Sequence, residues 1–266
     1  MNTSVHLQFS DLLIAAVLVL GAAGASWMMR LQLQRQVLWA SLRMVVQLLL
    51  VGYVLRLVFA QASPAITLVV VFVMIAAAAR EVAVRPHQRL IQHGNYRIAG
   101  MVVSLASLST VILALLTAVR PDPWFDARYV IPLMGIVLGS VLNSASLGLD
   151  SFFDGVRQNR AAIEAQLALG IPVRQALAEH TRSAIRRGLI PIINQMSAAG
   201  LITLPGIMTG QILGGMDPLD AAKYQILLLF LLTGAGGMAA AGSVLLAAKA
   251  ITDNRQRLRV DRLEKH

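Results

Sequence analysis

Apolar residues form long, almost uninterrupted runs along this chain, and short polar segments separate them. A helix needs about 20 apolar residues to cross roughly 30 Å of hydrocarbon, and seven runs approach or exceed that length. They lie at about 11–29, 37–60, 64–80, 98–119, 129–149, 189–210 and 224–248, and the third is the shortest. The alternation of apolar and polar residues that is typical of barrel strands is absent. The pattern predicts an all-α membrane protein, a polytopic bundle of about seven transmembrane helices.

The first run imitates a signal peptide in one respect, because small residues at 23–25 resemble a cleavage site. Its N-terminal region, MNTSVHLQFSD, contains no Lys or Arg, and the apolar run continues through residues 27–29. A secretory signal has a basic N-terminal region and ends its apolar core before the cleavage site. We therefore expect a retained membrane helix.

Composition agrees with a membrane protein: 57% of the residues are hydrophobic, 14% are charged and the mean hydropathy is +0.68. Ordinary soluble domains are less apolar and carry more charge. The chain has no cysteine, which excludes thiol chemistry, disulfides and cysteine-based metal sites.

The basic residues are distributed unevenly. Of the 23 Lys and Arg residues, 18 follow the first, third, fifth and seventh runs, and three lie on the opposite side. Positive charge stays on the cytoplasmic face during insertion. We therefore expect the N-terminus outside and the C-terminus inside. The net charge of +10 is then a topology signal, and anionic lipid rather than nucleic acid is its expected partner.

Acidic residues and histidines fall at the ends of the runs or in loops, and Asp11, Glu81 and Asp150 come nearest to membrane depth. Ion-coupled secondary transporters normally carry such groups inside the membrane. A retinal-type receptor needs a mid-membrane lysine, whereas Lys223 and Lys249 sit at the two ends of the seventh run. The protease and hydrolase motifs H-E-x-x-H and G-x-S-x-G do not occur. If the protein is a transporter, we therefore expect its energy to come from a source other than an ion gradient.

One basic residue lies well inside a run. Arg43, with Gln47 one turn along, falls about six residues from the cytoplasmic end of the second run. Snorkelling, hydrogen bonding to carbonyl groups or pairing with Glu81 or Asp150 would make it structural. The alternative is a part in gating or conduction.

Amide, hydroxyl and thioether groups form a second polar population, with Asn143 and Ser144 in the fifth run and Asn194, Gln195 and Met196 in the sixth. Buried polar groups need partners. These residues are expected either to hydrogen-bond between the two helices or to line a polar translocation pathway.

The sixth run also contains Pro191, Pro205 and Gly206. A proline within a helix frees a carbonyl group and permits bending. We expect this helix to flex at these residues.

About 38 residues, 150–188, connect the fifth and sixth runs, and this connection is among the most basic of the chain. Asp150, Ser151 and Asp154 are candidate helix N-caps, and Gly170 followed by Pro172 is typical of a helix end and a new first turn. A helix, a sharp turn and a second helix that leads into the sixth span are predicted here. Apolar residues crowd the turn, so we expect a partner to cover it.

This connection resembles a known element. Glu164 and Ala165, with Gly170 six positions after the Glu, look like the EAA-type loop by which ABC permeases dock into their ATPase subunit. The usual second Ala is replaced by Gln166. The alternative interpretation is an amphipathic helix that lies on lipid headgroups.

A longer resemblance covers about residues 35–245. The stretches LRMVVQLLLVGYVL, IPLMGIVLGSVLNSASLGLD, EAQLALGIPVRQA and LIPIINQMSAAGLITLPGIMTGQILGGMDPLDAAKYQI closely resemble the FetB-like family of iron-export ABC permeases, whose plant relatives are linked to aluminium tolerance. The resemblance implies a bacterial inner-membrane permease that works as two permeases with two cytosolic ATPases. The ATPase-coupling residues it implies are Glu164, Ala165, Leu167, Gly170, Pro172 and Arg174.

The sequence independently supports a separate ATPase subunit, because the ATP-binding motif G-x-x-x-x-G-K-[ST] does not occur in this chain. We expect a single permease domain at 1–250 with a basic tail at 251–266, no enzyme activity and no cofactor on this chain, with ATP and Mg²⁺ on the partner subunit.

Iron is implied by the resemblance alone, and no metal-binding residue is assigned. Asp150, Asp154 and Glu81 either gather cations at the cytoplasmic mouth or balance nearby arginines. The alternatives are a secondary transporter driven by an ion gradient and a non-transporting membrane scaffold.

Overall fold

The computed structural model describes residues 9–61, 63–91, 94–123, 125–253 and 255–265. The chain divides into two compact units, Met1–Ser63 and Pro64–His266. Six helices in the described part are long and apolar enough to cross a membrane. The prediction of a polytopic α-helical membrane protein is confirmed. The first eight residues, on which the predicted outward N-terminus falls, lie outside the described part, as does His266.

The first unit consists of two apolar helices, α1 (Phe9–Met28) and α2 (Gln34–Gln61), which pack against each other. A short connection joins them, and the backbone N–H of Leu33 donates to the Ser26 hydroxyl at 3.2 Å. Leu13, Leu18 and most other apolar side chains of this unit are exposed. Such exposure is expected of helices whose apolar faces meet lipid.

The second unit contains the remaining elements. They are α3 (Pro64–Val84), β1 (Gln88–Leu90), α4 (Gly94–Ala114) with a π-helical last turn (Leu115–Val119), α5 (Ala127–Gln158), α6 (Arg160–Ala168), α7 (Val173–Ala176), α8 (Ala178–Ala198), α9 (Gly206–Leu213), α10 (Pro218–Ala250), a 3₁₀ turn (Val260–Arg262) and β2 (Leu263–Lys265). Helices α5, α8 and α10 pack together at the centre, and α3 and α4 complete the core.

Helix α5 extends about two and a half turns further than predicted, to Gln158 instead of residue 149. Residues 150–158 were expected to open the connection, but they continue the helix because Phe152, Phe153 and Val156 are fully buried. The prediction that Asp150 and Asp154 cap a new helix is therefore wrong. The next helix begins after Asn159.

Glycines set the close approach of the central helices. A Cβ on Gly188 of α8 would lie 2.7 Å from the Ser144 carbonyl oxygen of α5, and a Cβ on Gly236 of α10 would lie 2.7 Å from the Ser144 hydroxyl. Real Cβ atoms do not approach other atoms this closely. The three backbones therefore meet at Ser144, which is 3% exposed.

The predicted sixth span, 189–210, is not one helix. Helix α8 starts at Ala178 and ends at Ala198, residues 199–205 are non-helical, and α9 starts at Gly206. Gly200 adopts a φ of +83°, a value that favours glycine. Pro191 lies inside a continuous α8, whereas Pro205 caps α9. The helix is therefore not interrupted at Pro191, and the interruption falls just before Pro205 and Gly206.

The C-terminal tail folds back onto the second unit. Strand β2 pairs antiparallel with β1, with Leu90 opposite Leu263. The Arg262 guanidinium donates to the Ala250 carbonyl at 2.7 Å at the end of α10, where a helix has unsatisfied carbonyl groups. Ile251 is fully buried at the start of the tail. The tail is thus part of the folded unit on the basic side of the protein.

Candidate functional site at the α6–α7 turn

The turn between α6 and α7 has a fixed backbone geometry. Gly170 has a φ of +84°, its N–H donates to the Leu167 carbonyl at 3.0 Å, and the Ile171 N–H donates to the Gln166 carbonyl at 3.1 Å. These two bonds form a Schellman motif, which ends a helix with a glycine in the left-handed conformation. Pro172 follows and caps α7. The predicted helix, sharp turn and helix are confirmed.

One side of the turn packs against the core of the second unit, and its tip is exposed. Ile163 is 1% exposed, and the half-buried Leu167 and Ile171 pack against the core. Leu169, at the tip, is 82% exposed. Leu169 lies outside the apolar spans on a turn of defined backbone geometry, so its side chain is accessible to another protein.

Of the other residues that the sequence assigned here, Glu164 pairs with Arg160 of its own helix at 2.8 Å, and Ala165 is exposed beside it. Arg174 projects from α7 into a groove near the end of α10. The six residues therefore lie on one short segment, with the Glu164 carboxylate engaged in a local ion pair that leaves its side chain 44% exposed.

The tail contacts this turn, a feature that sequence reasoning missed. The backbone N–H of Val173, the first residue of α7, donates to the Gln256 side-chain oxygen at 2.9 Å. Asp253 shapes the loop that carries Gln256, since its carboxylate accepts the backbone N–H groups of Arg257 and Arg255, each at 2.9 Å. The Arg257 backbone bond is the main cause that lowers the pKa of Asp253 below its usual value. No sequence signal pairs residues this far apart.

Helix α7 continues almost directly into α8, with Leu177 between them. Helix α8 packs against both α5 and α10 along its length. The turn is therefore connected to the two longest helices of the unit through contacts such as Gly188 against the Ser144 carbonyl.

A polar cluster lies where α3 and α5 meet the basic side. The Asp150 carboxylate accepts the His87 backbone N–H at 2.9 Å and lies 3.1 Å from the His87 ring Nδ1. Arg85 donates to the Asn143 side-chain oxygen at 3.3 Å. A cavity of about 290 Å³ opens between Arg85, Asn143, Ser146 and Asp150. The Asp150 and His87 pair offers oxygen and nitrogen ligands for a cation.

The Ser146 hydroxyl in this cavity has no hydrogen-bond partner in the described part of the chain, although the residue is only 6% exposed. A buried hydroxyl without a partner is unusual and points to water or a ligand. Sequence reasoning singled out Asn143 but not His87 or Arg85.

The predicted pathway residues lie on three helices. Arg43 and Gln47 are on α2, Asn143 and Ser144 are on α5, and Asn194, Gln195 and Met196 are on α8. Asn194 and Gln195 are exposed. Met196 accepts a hydrogen bond from the Thr233 hydroxyl of α10 at 3.3 Å.

Arg43 and Gln47 lie on α2 in the first unit, where both are exposed.

In the second unit, Gln211 of α9 and Gln225 of α10 carry buried side-chain oxygens without a partner among the described residues. Sequence reasoning missed both glutamines, because a single amide in an apolar run gives no sign that it is buried.

These helices and their polar ends define a multi-pass inner-membrane protein. The chain belongs to the uncharacterised protein family UPF0014, whose model matches residues 9–252. The resemblance to FetB-like proteins noted from the sequence is confirmed.

Three relatives illustrate the family. A UPF0014 membrane protein of Synechocystis is 40% identical over 80% of this chain and 82% of its own length. The protein ALUMINUM SENSITIVE 3 of Arabidopsis thaliana is 30% identical over 83% of this chain and 79% of its own length. The probable iron export permease protein FetB of Escherichia coli is 29% identical over 96% of each chain. No solved structure matches the chain.

Proposed function

We propose that this chain is the permease subunit of an ABC transporter that exports iron or another metal ion with ATP hydrolysed by a separate ATPase subunit. The observation that carries the proposal is the α6–α7 turn, a rigid Schellman turn with Leu169 exposed at its tip. The relative named a probable iron export permease aligns over 96% of this chain, which supports both the permease role and the class of cargo.

In this mechanism the ATPase covers Leu169 and pushes the turn when it closes on ATP. The displacement passes through α7 into α8 and then to α5 and α10. Coupling of this kind needs an element with two packings, one of which the partner stabilises. The non-helical segment 199–205 separates α8 from α9. It would allow α8 to move while α9 stays in place.

We further propose that two copies of the chain assemble. Leu201, Ile202 and Leu204 of the non-helical segment are 91%, 83% and 62% exposed. Irregular backbone at membrane depth has to be covered by protein or line a water-filled cavity, since lipid offers no hydrogen bonds. A second copy would provide that cover.

The cargo is proposed to enter at the cavity beside Asp150. One carboxylate, one imidazole and the unpartnered Ser146 hydroxyl suit weak binding of a cation that has to be released again. Arg85, which donates to Asn143 at the same cavity, would disfavour tight retention of a bare cation.

The turn is tested by Leu169→Asp in the permease purified together with its candidate ABC ATPase. Leu169 is exposed, so the substitution is expected to leave folding and insertion intact while it reduces ATPase co-purification and ATP-dependent metal transport about tenfold or more, since a buried interfacial charge is costly. Size-exclusion elution and yield report folding, and vesicle uptake of iron reports transport.

Leu31→Asp is the matched control, because Leu31 is also an exposed leucine in a short connection, 50% exposed, on the predicted cytoplasmic side. It is expected to retain ATPase binding and transport. Transport at the wild-type rate by both variants would contradict the coupling assignment. An equal loss of transport in both variants would show that the effect is not specific to the turn, and would also contradict it.

A further inference from the structure

A groove of about 590 Å³ opens between the first turns of α8 and the last turns of α10. Two kinds of side chain line it. Leu177, Leu245 and Ala248 are apolar, whereas Arg174, Arg182 and Lys249 are basic. The groove is therefore amphipathic, with an apolar wall and three positive charges.

The three basic side chains are available to an occupant. No Asp or Glu lines the groove, and none of the three cations forms an ion pair with a carboxylate in the part of the chain that the structure describes. Other arginines on this side are neutralised, since Arg160 pairs with Glu164 and Arg259 pairs with Asp261, each at 2.8 Å. The charge of the groove thus favours an anionic occupant.

The groove lies where the apolar part of the protein ends. Lys249 directly follows the apolar run 224–248, and Leu245, which is 51% exposed, lies one turn inside it. On α8, Arg182 precedes the apolar half that begins at Leu189. Basic side chains at such a boundary meet lipid headgroups, and apolar side chains just inside it meet acyl chains.

We propose that this groove binds one anionic glycerophospholipid from the leaflet on the basic side. Its phosphate and headgroup contact Arg174, Arg182 and Lys249, and one acyl chain lies along Leu245 and Ala248. The combination of three unpaired cations with an apolar wall fits this ligand better than a free phosphate, which would leave the apolar wall uncovered. The site does not depend on the proposed transport function.

The lipid would also connect two elements that the protein itself joins weakly. Arg174 is on α7, next to the α6–α7 turn, and Lys249 is in the last turn of α10. A headgroup that contacts both would hold α7 against α10. Anionic lipid is thus expected to affect how the turn is positioned.

The test uses the full-length protein purified in mild detergent and titrated with phosphatidylglycerol or with phosphatidylcholine of the same acyl chains, with retained lipid counted by native mass spectrometry. The wild-type chain is expected to retain one phosphatidylglycerol and to prefer it over phosphatidylcholine. The groove variant Arg174→Gln, Arg182→Gln, Lys249→Gln is expected to bind phosphatidylglycerol about tenfold more weakly or worse.

A matched variant removes the same charge elsewhere on the same side: Arg97→Gln, Arg186→Gln, Arg187→Gln. These arginines are exposed and lie outside the groove, so this variant is expected to retain phosphatidylglycerol. A titration with glycerol phosphate is expected to show no comparable binding.

Equal lipid retention by the two variants, or equal retention of the two lipids by the wild-type chain, would overturn the proposal. Binding of glycerol phosphate as tight as that of the lipid would do the same. A groove variant that keeps the lipid but loses a protein partner would assign the groove to that partner and also overturn it.

Discussion

Gly188 determines how closely α8 approaches α5. The nearest atoms to an added Cβ would be the Ser144 carbonyl oxygen at 2.7 Å and the Ala240 Cβ at 3.0 Å. Neither of these atoms belongs to a flexible side-chain end, so a methyl group at this position forces the helices apart. The contact matters for the proposed mechanism, in which α8 carries motion of the α6–α7 turn into the membrane.

Gly188→Ala is therefore expected to destabilise the protein by about 1–3 kcal/mol, the usual range for overpacking. Gly100→Ala is the control, since a Cβ there meets nothing within 4 Å and alanine favours helix. Heating the two purified variants and following the folded fraction by size exclusion measures the effect. Equal apparent melting temperatures would contradict the packing described here.

Single residues also mark where sequence reasoning succeeded and where it failed. Gly170 and Pro172 were interpreted correctly because a glycine stop followed by a proline is a local signal. Asp150 was misassigned as an N-cap because its true role, accepting from His87, depends on a contact between distant segments. Arg174 was placed on the right segment, but the groove it lines with Lys249 involves a helix that starts more than 40 residues later.

At the scale of elements, the α6–α7 turn depends on the tail as well as on its own sequence. The first N–H groups of a helix lack partners within the helix, and Gln256 supplies one for Val173. The tail is also tied to β1 through β2 and to the end of α10 through Arg262. It thus joins the α3–α4 connection, the α6–α7 turn and α10.

Gln256→Ala is expected to loosen the start of α7. Loss of one such hydrogen bond is worth about 0.5–1.5 kcal/mol, which corresponds to amide exchange at Val173 that is roughly threefold to tenfold faster. Hydrogen exchange of peptides that cover residues 170–177 measures it.

Arg255→Ala is the control, because Arg255 is exposed in the same loop and its side chain makes no hydrogen bond in the described part of the chain. It is expected to leave exchange at 170–177 unchanged. Faster exchange in both variants would mean that the loop as a whole was disturbed, and unchanged exchange in both would contradict a role for Gln256.

Helix positions were largely predictable, because a long apolar run has few alternatives in a membrane. The interruption at 199–205 was expected only as flexure at Pro205 and Gly206, because the run 189–210 contains no charged residue that would end a membrane helix. The break itself lies at Gly200 and at the Ala198 carbonyl, which accepts the N–H groups of both Ile202 and Thr203. The apolar run 189–210 covers only the second half of α8, and the helix predicted after the turn supplies the first half. That first half is basic, and hydropathy does not register a helix that begins outside the membrane.

For the molecule as a whole, topology depends on the broken pair α8 and α9. The apolar part of α8 from Leu189 to Ala198 spans about 15 Å, and the eight residues of α9 span about 12 Å. Together they approach the roughly 30 Å of hydrocarbon. The described part of the chain has six other helices able to span a membrane, so a crossing by this pair would place the two ends of the chain on opposite sides.

The chain has no cysteine, so single cysteines report topology without background. Ser4→Cys is expected to react with a membrane-impermeant thiol reagent in intact cells, and Arg255→Cys only after permeabilisation. The arginine distribution predicts this orientation. Labelling of both positions from the same side would show that α8 and α9 do not cross together.

We infer that this chain moves metal ions only with a separate ATPase that acts on the α6–α7 turn. This is measured by metal flux into sealed proteoliposomes that contain the chain alone, or the chain with its ATPase, each with and without ATP and with and without an ion gradient. We predict flux against the metal gradient only when ATPase and ATP are both present, and no response to the ion gradient. Uphill flux driven by an ion gradient through the chain alone would contradict the claim.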